Sequence, residues 1–259
     1  MANIVLVNLH FDAMTTGSAP PPKPPRPPWK GPERESRRRP LSVEAIVDAA
    51  LAVVDAEGFD ALTMRRVAQE LGTGGASLYA HVENKDRLIE LVMDRVVGEL
   101  EVPWPPDPEH WDEQIKECVR RMRGVFSRHR DLARGALARI PTGPNAMAGM
   151  ERMLALMRAG GLPDQAVAFA ADLLSLYATA VSYEESLYSA RGWTEQDMSS
   201  YIAELRAYFS GLPADRFPTT VAMATILTTG DGDERFEFGL DLLLRGLKSL
   251  RAGPDAQSG

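Results

Sequence analysis

Apolar residues recur every three to four positions through most of the chain after residue 40, the period of helices with one buried face. Strand-like alternation is scarce, so the pattern predicts an all-α protein. Ser42 stands where a hydroxyl caps a first helix, Glu44 lies in its first turn, and Ile46, Ala49, Ala50, Val53 and Val54 form its apolar face up to Gly58. Thr63 caps a second helix that turns Val67, Ala68 and Leu71 to one side. Gly72 then takes the left-handed position that ends it. A short third helix has one inward anchor, Leu78, and Asn84 caps a fourth that buries Leu88, Leu91, Val92 and Val96. The run Val102-Pro103-Trp104-Pro105-Pro106 is one that no helix can cross, so it marks a domain boundary.

Beyond the prolines the helical period resumes. Trp111, Ile115, Val119, Met122 and Phe126 place a helix over 110–131. Prolines 141 and 144 break the chain before a short, methionine-rich helix over 146–159. Pro163 opens a long helix from 164 to about 190, and Thr194 with Asp197 forms a capping pair for one reaching about 209. Helices over 219–227 and 236–250 follow, which makes nine or ten in all. The division expected is an arm over 1–40, a helix-turn-helix domain over 41–101, a second helical domain over 102–251 and a loose tail over 252–259.

Helix, glycine turn and a short helix with little apolar surface form the plan of a unit that lays its last helix in the DNA major groove. Arg65, one turn into the first helix of the pair, can donate two hydrogen bonds to a guanine edge. Thr73, Gly74, Gly75, Ala76 and Ser77 open the short helix. Two adjacent glycines favour close backbone approach over side-chain readout.

Charge sharpens the picture. The net charge is −7, yet 23–39 holds seven basic residues and two acidic ones. A basic arm on an acidic body suits a protein that meets phosphate at one end. Within the arm, Arg37, Arg38 and Arg39 directly precede the first helix. The proline run over 19–28 reads as a spacer. Met14 is an alternative translation start, because 1–10 lacks the features of a signal peptide. No run of about 18 apolar residues suggests a membrane span. The single cysteine, Cys118, forms no internal disulfide and reads as a buried small hydrophobe, consistent with a cytoplasmic protein. No nucleophile elbow, zinc-protease motif, phosphate loop or dinucleotide fingerprint occurs, so an enzyme is not expected. Neither a cofactor nor a metal site is expected. Asp231-Gly232-Asp233-Glu234 lacks the spacing of a calcium loop and reads as a loop with a helix cap.

The run Ala49-Ala50-Leu51, Glu57-Gly58-Phe59, Leu62-Thr63-Met64-Arg65-Arg66-Val67-Ala68, Leu71-Gly72, Leu78-Tyr79-Ala80-His81-Val82, Asn84-Lys85-Asp86 and Leu88 resembles the DNA-binding domain of TetR-family repressors over about 41–100. Phe236-Glu237-Phe238-Gly239-Leu240-Asp241-Leu242-Leu243-Leu244-Arg245-Gly246-Leu247 resembles the last helix of the tetracycline-repressor branch. This resemblance implies DNA contact through Arg65 on a base and Tyr79, His81 and Lys85 on the backbone; Arg39 joins them as the last cation of the arm, and Thr63, Thr73, Gly74, Gly75, Ala76 and Ser77 as the openings of the two helices, although 73–77 depart from the larger polar residues and proline of the tetracycline repressor. It also implies a homodimer on a palindromic operator, with 164–190 and the last helix pairing across a two-fold axis. Ala166, Ala170, Ala178 and Ala180 are small enough for close approach.

A small-molecule pocket is implied as well, for which the aromatic and methionine residues offer a lining: Trp104, Trp111, Phe126, His129, Met147, Met150, Met153, Phe169, Leu173 and Tyr177. Ala136 falls where the tetracycline repressor has a metal-chelating histidine, so a magnesium–tetracycline chelate does not fit. A larger aromatic polyketide or drug-like compound is expected as inducer of a repressor that controls an efflux or antibiotic-related gene. The alternative is a ligand-independent DNA-binding regulator or activator.

Overall fold

A computed structural model of the chain describes residues 41–129, 131–137 and 139–251. The basic arm with Arg39, the Met14 alternative and the 252–259 tail lie outside the described residues. Among the described residues every regular element is helical: α1 Val43–Glu57, α2 Met64–Glu70, α3 Gly75–Tyr79, α4 Lys85–Val97, α5 Trp111–Arg128, α6 Leu132–Ala136, α7 Pro144–Ala159, α8 Asp164–Ala190, α9 Glu195–Ser210, α10 Pro218–Leu227 and α11 Gly232–Lys248.

The caps sit where the sequence places them. Ser42, Thr63 and Asn84 each accept a hydrogen bond from the backbone N–H three residues on, at 3.2, 3.1 and 2.8 Å. Gly72 adopts φ +60°, the left-handed conformation that a Cβ disfavours. Thr194 and Asp197 form a capping box. Asp231 caps α11 by accepting from Glu234 N at 2.8 Å, so the acidic loop is a helix cap.

Three features differ from the sequence reading. A five-residue helix, α6, stands between α5 and the proline break. It follows Asp131, a non-glycine residue at φ 58°. Leu132 and Ala133 anchor it, and five residues are too few to show a period. Helices α7 and α11 also begin earlier than predicted, at Pro144 and Gly232, because a proline at N1 and the Asp231 cap extend them upstream of their apolar faces. Finally, α8 is long and apolar enough, by length and composition, to cross a membrane. Its apolarity serves two faces: Val167, Ala170, Leu174 and Ala178 are buried in the chain's own core, whereas Phe169, Leu173 and Leu176 are exposed. Ala170 and Ala178 therefore pack inside the chain's own core; Ala166 is half-buried and Ala180 exposed.

Two hydrophobic cores result. The first joins α1, α2, α3 and α4 around Ile46, Leu62, Val67, Leu78, Leu88 and Val92, and takes in Val125, Phe126, Leu132 and Ala133 from α5 and α6. The second gathers Trp111, Ile115, Val119, Leu156, Met157, Leu174, Phe236 and Leu240 from α5, α7, α8 and α11. Helix α5 thus begins in one core and ends in the other. Cys118 is buried in the second, where desolvation pushes its thiol up to about 11 and makes it a poor nucleophile. Helices α9 and α10 pack chiefly on each other, and Arg206 ties them by donating to the Thr228 hydroxyl and carbonyl at 2.8 and 2.9 Å.

Candidate DNA-reading face and ligand cavity

The reading face is built from the ends of short, well-anchored helices. Burial of Val67 and Ala68 fixes the roll of α2, which leaves Arg65 exposed, with no hydrogen bond or ion pair to other described residues. Its neighbour Arg66 is engaged: Nε donates to Glu57 Oε1 at 2.8 Å and a terminal nitrogen to Glu70 Oε2 at 2.8 Å. Both hydrogen bonds hold the Arg66 pKa above its ordinary value. Of the two adjacent arginines, Arg65 has its whole guanidinium open to an outside acceptor, whereas Arg66 commits Nε and one terminal nitrogen to Glu57 and Glu70.

Helix α3 is held by Leu78, which is fully buried, while Ala76, Ser77 and Tyr79 are exposed around it. His81 and Lys85 are exposed as well; Lys85 is the first residue of α4, next to the Asn84 cap. Thr63 and Thr73 flank the same surface, although the Thr63 hydroxyl already accepts the α2 cap bond.

Gly74 and Gly75 carry a distinct signal. Neither has a positive φ, and a Cβ built at either would meet nothing within 4 Å. Nothing inside the subunit requires glycine there; close approach of an external backbone would. Gly75→Val is therefore expected to leave the thermal midpoint within a few degrees of the parent and to weaken operator binding at least ~10-fold, read by fluorescence anisotropy on labelled duplex; unchanged binding would remove the close-approach reading.

A cleft of about 420 Å³ lies between the end of α5 and the C-terminal half of α8. Phe126, Ser127, Arg128, His129, Asp131, Ser182, Glu185, Ser186, Ser189 and Ala190 line it. Its wall is more polar than the aromatic lining expected. Ser182 donates to the Ala178 carbonyl at 2.9 Å, Ser186 to the Tyr183 carbonyl at 2.8 Å and Ser127 to Glu185 Oε2 at 3.1 Å. A hydroxyl has one proton, so these oxygens keep only acceptor capacity for an occupant. Glu185 is fixed from behind by Arg123, whose nitrogens lie 2.9 and 2.5 Å from Oε1.

Of the ten residues predicted for the pocket, Phe126 and His129 reach this cleft. Trp111 and Met153 are buried in the second core. Tyr177 stacks on Phe236, with centroids 5.4 Å apart, and donates to the Phe236 carbonyl at 3.0 Å, which ties α8 to α11. Trp104, Met147, Met150, Phe169 and Leu173 are exposed elsewhere on the surface. Half of the cleft residues that the sequence reading missed are serines. Ser182, Ser186 and Ser189 share one face of α8, a helical spacing that marks a polar wall once serines are followed as closely as aromatics.

His129 also faces the first core. It is only 8% exposed; its Nδ1 lies 3.0 Å from Asp55 Oδ1 on α1, and its Nε2 lies 3.4 Å from Glu99 Oε2, just past α4. Burial opposes the Glu99 charge, but hydrogen bonds from Arg128 and His129 outweigh it and hold that carboxyl below its ordinary pKa. Further contacts join the two regions: Arg139 pairs with Asp86 at 2.8 Å, Asp94 Oδ1 accepts from Ala146 N at 2.9 Å, and the Arg134 guanidinium lies over the Phe59 ring at 5.5 Å.

Comparison with known proteins agrees with this geometry. Residues 46–92 match the family described as bacterial regulatory proteins, tetR family, and 104–251, more than half of the chain, match the tetracyclin repressor-like C-terminal domain. Among curated relatives, the HTH-type transcriptional repressor DrrR1 of Streptomyces coeruleorubidus is 32% identical over 86% of this chain and 84% of its own length. The class D tetracycline repressor of Escherichia coli is 26% identical over 80% of this chain and 89% of its own. Among solved structures, ActR from Streptomyces coelicolor without ligand has a TM-score of 0.74 at 48% identity, covering 83% of this chain and all of ActR. Its complex with actinorhodin has a TM-score of 0.76 at 47% identity and the same coverage. With its helix-turn-helix face, its second helical core and both family matches, the chain belongs to the TetR family of transcriptional regulators, in the branch that shares the C-terminal domain of the tetracycline repressor.

Proposed function

We propose that this regulator is a homodimeric repressor that holds a palindromic operator and is released when an aromatic, hydroxyl-bearing small molecule fills the α5–α8 cleft. The observation that carries this reading is the 420 Å³ cleft itself, which shares His129 with the DNA-reading half. The wall of acceptor oxygens from Ser182, Ser186 and Glu185 selects an occupant with donors, such as phenolic hydroxyls, while Phe126 supplies apolar contact. Arg128 offers a cation to a carboxylate or quinone oxygen. Support also comes from ActR, solved with actinorhodin and with (S)-DNPA. We place the regulated genes among those for export or synthesis of such compounds, and the protein in the cytoplasm with its operator.

Dimerisation rests on the open faces of α8 and α11. Phe169, Leu173 and Leu176 on α8, with Phe238 and Leu242 on α11, form an exposed apolar stripe, and the two helices pack side by side. One reading head covers only a few base pairs, so a specific site requires two. A second copy of this face completes a four-helix bundle about a two-fold axis.

The test uses actinorhodin as probe. Titrated into the protein on labelled operator, it is expected to lower operator affinity ~5–150-fold, the usual range of coupling between two sites. Probe that binds without moving the operator would contradict the reading.

A further inference from the structure

The cleft and the reading helices meet along the end of α5, at Phe126, Arg128 and His129. His129 lines the cleft, and the same ring contacts Asp55 on α1 and Glu99 at the end of α4. Each contact sets a ring nitrogen against a carboxylate oxygen, and the tautomer decides which nitrogen donates. Phe126 packs in the first core and Arg128 reaches Glu99 alone; the His129 ring bridges α1 and the end of α4. The backbone around it is constrained. His129 N donates to the Phe126 carbonyl at 3.3 Å, and the His129 carbonyl accepts from Leu132 N at 3.2 Å. Asp131, which also lines the cleft, is held in the left-handed region. Asp carries such a φ more readily than most residues, but the conformation is sparsely populated and leaves little freedom to yield. A ligand that presses on the ring therefore has one soft response available, the rotation of His129 away from its two carboxylates.

We propose that His129 is the positioning residue that couples the cleft to the DNA: with the cleft empty it clamps α1 and the end of α4 in the operator-competent arrangement, and an occupant dislodges it. This rests on the cleft being the inducer site. The partners are suited to a reversible clamp. The Asp55 carboxylate is 41% exposed, so water takes over when the ring leaves; Glu99 retains Arg128 at 3.2 Å and Arg95 at 4.0 Å. Neither acid is stranded by the release, and the open state stays accessible.

The clamp is tested by filling the cleft from within. Ser186→Trp places an indole against the α5 wall and serves as a permanent occupant. In the otherwise unchanged protein it is expected to weaken operator binding ~5–150-fold, measured by anisotropy. Two backgrounds remove the clamp: Asp55→Ala with Glu99→Ala, which leaves the cleft lining unchanged, and separately His129→Leu, which alters one wall residue but keeps the ring's approximate bulk. In either, Ser186→Trp is expected to change operator affinity by less than twofold, because the link it acts through is gone. Circular dichroism confirms that each variant is folded, and the Asp55/Glu99 pair keeps the test open should His129→Leu fold poorly. If Ser186→Trp weakens the operator by the same factor with and without the clamp, His129 is a wall residue and the proposal fails. An operator affinity that ignores the indole in every background would remove the cleft's control over DNA, and the proposal with it. Actinorhodin titration on the unchanged protein separates those two failures.

Discussion

Replacing Leu173 and Phe238 together by glutamate is expected to yield a folded monomer that no longer holds its operator. Both side chains are exposed in the isolated subunit, at 44% and 70%, so neither change opens a cavity or strands a polar group within it. Around a two-fold axis each substitution enters the interface twice, and carboxylates driven into an apolar seam cost several kcal/mol each unless they are paired. Phe169, Leu173, Leu176 and Ala180 on α8 and Phe238 and Leu242 on α11 make the stripe apolar; Arg235 and Arg245 flank it on α11, and Arg235 is already paired with Glu184. A monomer has one reading head, and its affinity falls toward nonspecific binding, a loss of ~10³-fold or more. Sedimentation velocity and anisotropy on the same preparation check both halves. A variant that stays dimeric places the interface elsewhere.

The second large effect separates two adjacent residues. Arg65→Ala is expected to cost about 1–3 kcal/mol per half-site, the range for a bidentate arginine on guanine, and the dimer loses it twice. Arg66→Ala breaks the ion pairs with Glu57 and Glu70 and leaves the operator contact in place, so its effect on DNA is expected to stay within a few-fold. Selection of preferred sequences with each variant sharpens the contrast: loss of Arg65 relaxes preference at one base position in each half-site, and loss of Arg66 does not. Equal effects would mean that the free guanidinium is a solvated surface group.

The helix-turn-helix was legible because each of its signals is local. Thr63 caps three residues ahead, Gly72 needs its own φ, and Leu78 is one anchor in a short helix. Helix α6 was not legible, since Leu132 and Ala133 bury against a core formed largely by residues some 40 to 80 positions earlier. The cleft was legible in part. Aromatic and methionine residues are the default lining of a pocket, yet here Trp111 and Met153 fill the second core and Phe169 faces outward. Periodicity alone does not say which side of a two-faced helix such as α8 meets its own subunit. The cleft itself arises where α5 passes from one core to the other, a geometry that no spacing within one helix encodes.

The most direct test is selection of bound sequences from a random DNA pool by the full-length protein, repeated with saturating actinorhodin. Enrichment of two inverted half-sites is expected, with loss of that enrichment when the probe is present. An asymmetric consensus, or an inverted repeat retained in full while the probe is bound, would contradict the proposed function.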